Sequence, residues 1–235
     1  MSGWARDRQP EWMDEPALDA KAHRRALLGL RRINGVSGAA AQIWRPIARL
    51  AKESVGRPFR VLDLACGGGD VLVACARRLR SLGLNVELQG VDRSETAIQT
   101  AQQLAQSARM SDVRFSQLDV LQDPLPRDYD VVMSTLFLHH LAEPDAVRLL
   151  QRMAEAARQA VLVDDLLRSR SAFGLAWIAC RVLTRSPIVR FDGPLSVRAA
   201  FTLEELRSLL ERAGLANAAF KRHWPARVLI QWNKP

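Results

Sequence analysis

A glycine-rich turn after a short apolar segment is the feature of this sequence best suited to hold a ligand. Val61-Leu62-Asp63-Leu64-Ala65 leads into Cys66-Gly67-Gly68-Gly69, and Asp70 begins a stretch with helical spacing. Glycine lacks a Cβ and adopts positive φ, so the backbone of such a turn can approach a ligand closely. The turn lacks the third glycine of the dinucleotide-binding pattern G-x-G-x-x-G. Asp63, just before the turn, instead suits a ligand that carries a positive ammonium group.

The segments around this turn alternate between strand-like and helix-like patterns. Strands are predicted at 59–64, 85–91, 113–118, 129–133 and 159–163, and helices at 70–82, 94–108, 144–157 and 202–213. Such alternation predicts an α/β fold whose parallel sheet is covered by helices on both faces. Residues 217–224 and 227–232 predict an antiparallel C-terminal hairpin that turns at Pro225. The expected fold is therefore a Rossmann-like, mostly parallel, seven-stranded sheet.

Two further regions have helical character outside this alternation. Residues 17–32 and 37–53 predict two helices separated at Asn34-Gly35, so that 1–56 form a helical N-terminal cap and 57–235 the main domain. Residues 166–200 interrupt the alternation with the apolar segment 172–180, which predicts a lid or substrate-binding insertion. The alternative is that residues 172–184 form a contact between two copies of the chain in a homodimer, or belong to the ordinary core.

The composition restricts the classes of partner and compartment. The formal net charge is +9 and the pI about 10.6, which is compatible with nucleic acid or an anionic surface. The basic residues are nearly all arginine and are spread through every segment, which favours a compositional bias instead. Three cysteines without metal-ligand spacing, no apolar signal segment and no membrane-length apolar run predict a reduced, cytoplasmic protein without a metal site.

Four motifs, in order, resemble those of the class I S-adenosylmethionine-dependent methyltransferases. Val61–Gly69 resembles their first motif, with Ala65 where the first glycine usually stands, and Gly90–Ser94 resembles the second strand with its acidic end. Ser116–Val120 and Tyr129–Ser134 resemble the third-strand and fourth-strand motifs. The resemblance covers residues 58–235 and implies S-adenosylmethionine as the cofactor.

The resemblance also implies contacts to the methionyl and ribose parts of the cofactor. Asp63 would face the methionyl ammonium, while Ala65, Gly67 and Gly69 would bring backbone to the methionyl part. Asp92 would accept hydrogen bonds from both ribose hydroxyls. An acid at that place also serves dinucleotide enzymes, and the alternative for Asp63 or Asp92 is a turn or capping residue.

Contacts to the adenine follow from the same resemblance. Arg93 would lie near the ring, although an apolar residue is more usual there. Asp119 would accept from the adenine amino group, with turn formation as its alternative, and the Val120 backbone would meet the ring edge. Ser134 and Leu136 would line the pocket after the fourth strand.

His139-His140 follows the fourth strand, where the acceptor meets the cofactor in this family. Methyl transfer requires alignment of the reacting atoms, and a phenol or carbon acid must also lose a proton, which an imidazole can accept. We predict that one of the two is a base or orients the substrate. The alternative is that both pack or cap the helix near Glu143-Pro144. Asp164-Asp165, at the end of the fifth strand, are expected to hold Arg168 and Arg170 rather than to bind substrate.

The sequence therefore predicts methyl transfer to oxygen or carbon of a hydrophobic small molecule of secondary metabolism, phenolic, quinone-like or polyketide-derived. The segment after the fourth strand, 134–138, does not resemble Asn-Pro-Pro-Tyr, which argues against nucleic-acid amino groups as acceptors. The alternatives are an RNA methyltransferase, a nicotinamide-dependent oxidoreductase and a non-catalytic module that binds the cofactor.

Overall fold

A computed structural model describes residues 4–15, 17–54 and 56–235; the first three residues of the predicted cap lie outside the described part. The helices are α1 (Ala20–Ser37), α2 (Ala39–Glu53), α3 (Asp70–Ser81), α4 (Glu95–Ser107), α5 (Glu143–Ala156), α6 (Arg170–Leu183), α7 (Pro187–Ala199) and α8 (Leu203–Arg212). The strands are β1 (Phe59–Leu64), β2 (Val86–Asp92), β3 (Arg114–Gln117), β4 (Tyr129–Thr135), β5 (Ala157–Leu166), β6 (Ala219–His223) and β7 (Arg227–Asn233). Short 3₁₀ turns occur at Trp12–Asp14 and Leu138–His140.

The strands form one seven-stranded sheet in the order β3-β2-β1-β4-β5-β7-β6. β1 to β5 run parallel to one another, whereas β7 runs antiparallel to both β5 and β6. This confirms the predicted α/β class with an antiparallel C-terminal hairpin. The strand order reverses between β1 and β4, and open sheets bind ligands at the carboxyl ends of the strands beside such a reversal.

Alternating side chains of the strands build a core on each face of the sheet. Val61, Val131 and Leu162 face α2, α3 and α4, whereas Leu62, Val132 and Val161 face α5 and α8. This period of two is what a strand buried on both faces requires. The sheet is thereby held rigidly from both sides, and its carboxyl edge provides a fixed platform for the site.

The turn between the first two helices lies later than the sequence predicts. Helix α1 continues through Asn34-Gly35 and ends at Gly38, which has φ 67° and caps the start of α2. Ser37, expected to cap the second helix, instead donates from Oγ to the carbonyl of Asn34 at 3.2 Å. Glycine adopts this left-handed conformation without the steric cost of a Cβ, so Gly38 rather than Gly35 makes the turn.

Residues 166–200 form two helices that pack on α1. Asp192-Gly193-Pro194, a sequence of turn-forming residues, lies inside α7. A Cβ at Gly193 would lie 2.3 Å from Sγ of Cys180, so glycine permits the close contact between α6 and α7. Ala26 of α1 and Ile188 and Val189 of α7 share a small core with Cys180. Within the described residues, no helix combines the length and apolarity needed to cross a membrane.

Candidate active site

The glycine turn between β1 and α3 is built from residues with positive φ. Ala65, Gly67 and Gly69 have φ of 54°, 53° and 71°. Gly67 lines the cavity at the carboxyl edge of the sheet, and so does Ala65. Gly69 does not: a Cβ there would meet Ala101 and the Phe115 ring at 2.8 Å. The turn therefore exposes its first part to a ligand, while Gly69 permits the close packing of α3.

Asp63 points a carboxylate oxygen into this region without a protein partner. Its Oδ1 is buried and has no hydrogen-bond partner within the described chain. Burial, followed by the charges of Asp70 and Asp92, raises the pKa of Asp63 well above its usual value. A buried unpaired acceptor costs free energy that a cationic donor would offset. The cavity that Asp63 lines is therefore suited to a positively charged group at this point.

Asp92, at the end of β2, fixes the glycine turn with the same carboxylate that faces the cavity. Oδ2 accepts from the backbone N–H of Gly67 at 2.8 Å, and Oδ1 accepts from the N–H of Ser94 at 2.9 Å. Burial raises the pKa of Asp92, against the opposing effect of these two hydrogen bonds. Each carboxylate oxygen can accept a second hydrogen bond. Ser94 rather than Asp92 caps α4, by accepting from the N–H of Ala97, so Asp92 shapes the turn before this helix and can still accept from ligand hydroxyls.

Three of the predicted adenine-side residues line the cavity. Asp119 accepts the N–H of Leu121 at 2.9 Å through Oδ1, so it also shapes a turn. Val120 is buried beside it. The guanidinium of Arg93 is exposed and pairs with Asp14 at 2.9 Å, which ties this edge to the N-terminal segment. These three residues surround one end of the cavity.

After β4 the structure differs from the expectation at one of two residues. Leu136, with φ 56°, lines the cavity as expected, and its N–H donates to the Asp164 carbonyl at 2.8 Å. Ser134 does not line it, because its buried Oγ donates to the Leu64 carbonyl at 3.1 Å. The next residue, Thr135, lines the cavity instead, since successive side chains of a strand point to opposite faces.

His139 forms a buried pair with Asp165. Its Nδ1 lies 2.6 Å from Oδ1 of Asp165, and its backbone N–H donates to Oδ2 at 3.0 Å. The imidazole lines the cavity while its side chain is 3% exposed. Although burial raises the pKa of Asp165, the charge and hydrogen bond of His139 dominate and lower it. An ionised Asp165 can accept Nδ1–H, so that Nε2 is the ring nitrogen that Asp165 does not engage.

His140 lines the same cavity in a different electrostatic setting. Its Nδ1 lies 3.1 Å from Oδ2 of Asp14 and 3.9 Å from Oε1 of Glu11. Burial lowers its pKa, but the hydrogen bond to Asp14 and the charge of Glu11 raise it further, to about 9. His140 is therefore protonated at neutral pH, so it does not accept a proton there.

The N-terminal segment 4–15 holds the turn that carries both histidines. Arg6 donates through Nη2 to the carbonyls of His139 and Leu141, at 2.9 and 2.8 Å, and lies over the Phe201 ring. Arg8 donates to the carbonyl of His140 at 3.3 Å. The sequence does not predict these contacts, because backbone carbonyls that are distant in the chain leave no local pattern.

The two acids at the end of β5 serve different partners from those expected. Asp165 holds His139, and Asp164 accepts from Arg227 at 2.5 Å and contacts Nε2 of His223 at 2.7 Å. Arg168 pairs with Glu205 at 2.6 Å. The expectation that Asp164 and Asp165 hold Arg168 and Arg170 is therefore wrong, and His223, for which the sequence predicts no role, is part of a buried ion-pair network.

One grouping of metal-ligating atoms was missed by sequence analysis. Glu11, His139 and His140 each offer one such atom, and these lie within 4.8 Å of one another. All three residues are already engaged, with Ser196, Asp165 and Asp14 respectively. We assign no metal to this grouping.

A cavity of ≈ 1130 Å³ joins Asp63, Asp92 and Asp119 with both histidines. One side is formed by the glycine turn and the ends of β2 and β4. The other side is largely apolar and comes from α1, α6 and α7: Leu27, Leu30, Ile33, Ala172, Leu175, Ala176, Ala179, Val189 and Val197. Pockets for one drug-sized ligand occupy about 300–1,000 Å³. This cavity is thus large enough for a cofactor and a second small molecule, and His139 is one of its lining residues.

Comparison with known proteins identifies the domain that forms the cofactor-facing side of the cavity. Residues 61–160 match the family model described as a methyltransferase domain. This segment is a methyltransferase domain. Its cofactor is S-adenosylmethionine, and the residues present fit that molecule: the unpaired Asp63 oxygen suits an ammonium, and Asp92 suits hydroxyls.

Several methyltransferases are similar over this domain. The chain is 30% identical over 129 residues to a ubiquinone biosynthesis O-methyltransferase of Pseudomonas entomophila, which is 54% of this chain and 52% of that protein. It is 31% identical over 127 residues to a 2-phytyl-1,4-naphtoquinone methyltransferase of Synechococcus elongatus, and this match covers 52% of this chain and 52% of that protein. The chain thus spans about half the length of the curated relatives it matches.

The fold likeness extends further than the sequence likeness. Human N-acetylserotonin methyltransferase, solved in complex with S-adenosylmethionine, superposes with a TM-score of 0.65 at 18% identity. The superposition covers 91% of this chain and 56% of that one. The methyltransferase domain therefore lies in a chain whose overall fold, and not only its matched segment, is that of solved methyltransferases.

Proposed function

We propose that this protein is a methyltransferase that transfers the methyl group of S-adenosylmethionine to oxygen or carbon of a hydrophobic small molecule. The observation that carries the proposal is that His139, fixed by Asp165, lines the same cavity as the glycine turn and the apolar side chains of α1, α6 and α7. A phenolic, quinone-like or polyketide-derived acceptor has the apolar body and ionisable hydroxyl that this arrangement suits. Both curated relatives named above carry quinone-related names, which supports the same class.

The apolar side defines the acceptor half of the proposed site. Its side chains come from α1 of the N-terminal cap (1–56) and from α6 and α7 of the 166–200 insertion. We propose that these two regions bind the acceptor, while the rest of 57–235 binds the cofactor. The carboxylates of Glu11, Asp14 and Asp192 at the cavity disfavour an anionic acceptor, because like charges in a partly desolvated site repel strongly.

The chemistry assigned to this chain is positioning and proton transfer. S-adenosylmethionine supplies, when bound, a methyl group on a sulfonium, whose sulfur leaves as a neutral thioether without acid assistance. His139 accepts the proton of the acceptor hydroxyl at Nε2 as the oxygen becomes nucleophilic, and Asp165 stabilises the resulting imidazolium. The cavity walls align acceptor and donor, and positioning alone can supply several kcal/mol, up to roughly 7–11 in well-oriented systems.

The experiment is a product assay with S-adenosylmethionine and a panel of catechols, hydroxyquinones and phenolic polyketide products, read by mass spectrometry. We expect a mass gain of one methyl group on at least one member, and loss of that product in His139→Ala. Methylation of transfer RNA or of a protein lysine, with none of any small molecule, would contradict the acceptor class. Calorimetry with S-adenosylhomocysteine tests the cofactor half separately.

A further inference from the structure

Helix α6 forms a wall between the cavity and the outside. Ala172, Ala176 and Ala179 line the cavity, whereas Trp177, Ile178 and Val182 point outward. Ile178 is 55% exposed and Val182 75% exposed. An outward apolar stripe of three large side chains on one helix is unusual for a surface that meets only water. The stripe therefore indicates a binding surface.

The charged residues of this helix are all basic. Arg170 and Arg181 are exposed on α6, Arg185 is exposed just after it, and the guanidinium of Arg181 lies 3.8 Å from the centroid of the Trp177 ring. Neither α6 nor α1, which packs against it, contains an acidic residue. The exposed basic residues of α1 are Lys21, Arg24, Arg25, Arg31 and Arg32. The arginines that look scattered along the sequence are thus gathered by two neighbouring helices.

We propose that this α1–α6 surface, defined by the exposed residues of these two helices, binds an anionic lipid bilayer. A helix with exposed Trp, Ile and Val beside arginine lies in the headgroup region, where the apolar side chains insert and the cations meet lipid phosphates. Tryptophan is enriched at that interface. The bilayer supplies both halves of the required chemistry, an apolar interior and negative surface charge.

A second copy of the chain fits this surface less well. A two-fold contact through α6 would place the same patch against itself, so that Arg181 and Arg185 would face their own copies. Like charges across such a contact oppose association. The surface therefore favours an anionic partner over self-association.

The consequence for the acceptor rests on the proposed function. Because α6 separates the cavity from the α1–α6 surface, a lipophilic acceptor dissolved in a bilayer would reach the cavity past a single helix. The surface itself is tested without any acceptor.

The test is sedimentation of the full chain with phosphatidylcholine vesicles that contain or lack phosphatidylglycerol, at low and high salt. We expect binding only to the anionic vesicles and weaker binding at high salt. The double variant Ile178→Asp/Val182→Asp should bind roughly tenfold less or weaker still, because the inserted side chains become charged. Arg24→Glu/Arg25→Glu should lose a similar factor, at least about tenfold, through charge reversal.

Matched controls lie elsewhere on the surface. Leu82→Asp alters another exposed apolar residue, and Arg77→Glu/Arg148→Glu makes the same charge change on α3 and α5. Both should retain wild-type vesicle binding, and all variants should bind S-adenosylhomocysteine as the wild type does. Equal binding to both vesicle types, or equal loss in the controls, overturns the proposal. If the wild type forms a dimer that Ile178→Asp/Val182→Asp disrupts, and the wild type does not bind vesicles, the surface is a contact with a second copy of the chain. Failure of S-adenosylhomocysteine to bind would instead contradict the proposed function.

Discussion

Nδ1 of His139 lies 2.6 Å from Oδ1 of Asp165, while the backbone N–H of the same histidine donates to Oδ2 at 3.0 Å. One carboxylate therefore fixes both the ring and the backbone of His139. The Leu166 N–H donates to the carboxylate as well, at 2.7 Å. Such a clamp leaves the imidazole a single orientation, with Nε2 directed away from Asp165.

His139→Ala should lower kcat by roughly 10²–10⁴-fold, because a positioned base contributes about that factor. Asp165→Asn should also lower kcat, by roughly 10²-fold or more, through loss of the tautomer and orientation. Both variants should keep the calorimetric affinity for S-adenosylhomocysteine. His23→Ala, a cavity residue remote from this pair, is the control and should change kcat little. Wild-type turnover of His139→Ala at saturating acceptor would eliminate the base.

Asp63→Asn should weaken S-adenosylhomocysteine binding by roughly tenfold or more, because a neutral amide replaces the partner of the ammonium. Burial raises the pKa of Asp63, whereas a bound cationic ligand favours its ionised form and lowers that pKa. Binding should therefore release protons and strengthen as pH rises. Calorimetry in buffers of different ionisation enthalpy measures the released protons, and an identical proton count in Asp63→Asn would assign them elsewhere.

Asp92→Asn should weaken S-adenosylhomocysteine binding by roughly 10–100-fold, because the carboxylate both holds Gly67 and Ser94 and faces the cavity. Asp119→Asn should have a smaller effect, since one of its oxygens is engaged by its own turn. The control is Asp112→Asn, an exposed acid paired with Arg80. Unchanged affinity in Asp92→Asn would place the ribose contact at another residue.

Gly69→Ala should destabilise the protein by about 2–4 kcal/mol, because the new Cβ would meet Ala101 and Phe115 at 2.8 Å in a residue with φ +71°. Gly83→Ala provides a matched comparison, since Gly83 has φ +69° and open space around it. It should cost only about 1–2 kcal/mol. Urea unfolding gives both values, and equal losses would show that packing at Gly69 contributes nothing.

The contact between His140 and Asp14 should make stability depend on pH. Although burial lowers the pKa of His140, Asp14 and Glu11 raise it to about 9, above the unfolded value of about 6.5. The stabilisation is therefore fully present below about pH 6.5 and lost as pH rises through about 9. His140→Gln should remove this dependence and roughly 1–2 kcal/mol at neutral pH. Denaturant unfolding across this range measures it, and parallel profiles for the two proteins would contradict the contact.

Local patterns in the sequence predict the sheet and most of the residues that line the cavity beside the glycine turn. The alternation of apolar runs predicts each strand. Asp63, Asp92 and Asp119 follow from the rule that parallel sheets bind ligands at the carboxyl ends of their strands. Ser134 was misplaced by one residue, since the motif gives its position in β4 but not which face its side chain takes. Gly38 was missed because Asn34-Gly35 carries the stronger turn signal.

Contacts between distant segments were beyond the sequence. Arg6 reaches the carbonyls of His139 and Leu141 across more than a hundred residues, and Asp14 reaches Arg93 and His140. Backbone carbonyls carry no side-chain identity, so nothing in the sequence marks them as acceptors. For the same reason, the sequence places Asp165 at the carboxyl edge of the sheet but does not indicate that its partner is His139 and not Arg168.

Asp164 and Asp165 are neighbours in β5, and their side chains take opposite sides of the sheet: one meets His223 and Arg227, the other His139. A slip of a single residue in the pairing of this strand would turn each carboxylate to the other side of the sheet, so only one of the two places would still receive an acid. With one direction of slip His139 would lose its partner, and with the other Arg227 would be left as a buried charge without a counter-ion. The proposed base and the buried ion pair therefore both depend on strand registration, so a one-residue insertion or deletion before Asp164 would impair the protein even if every cavity residue were unchanged.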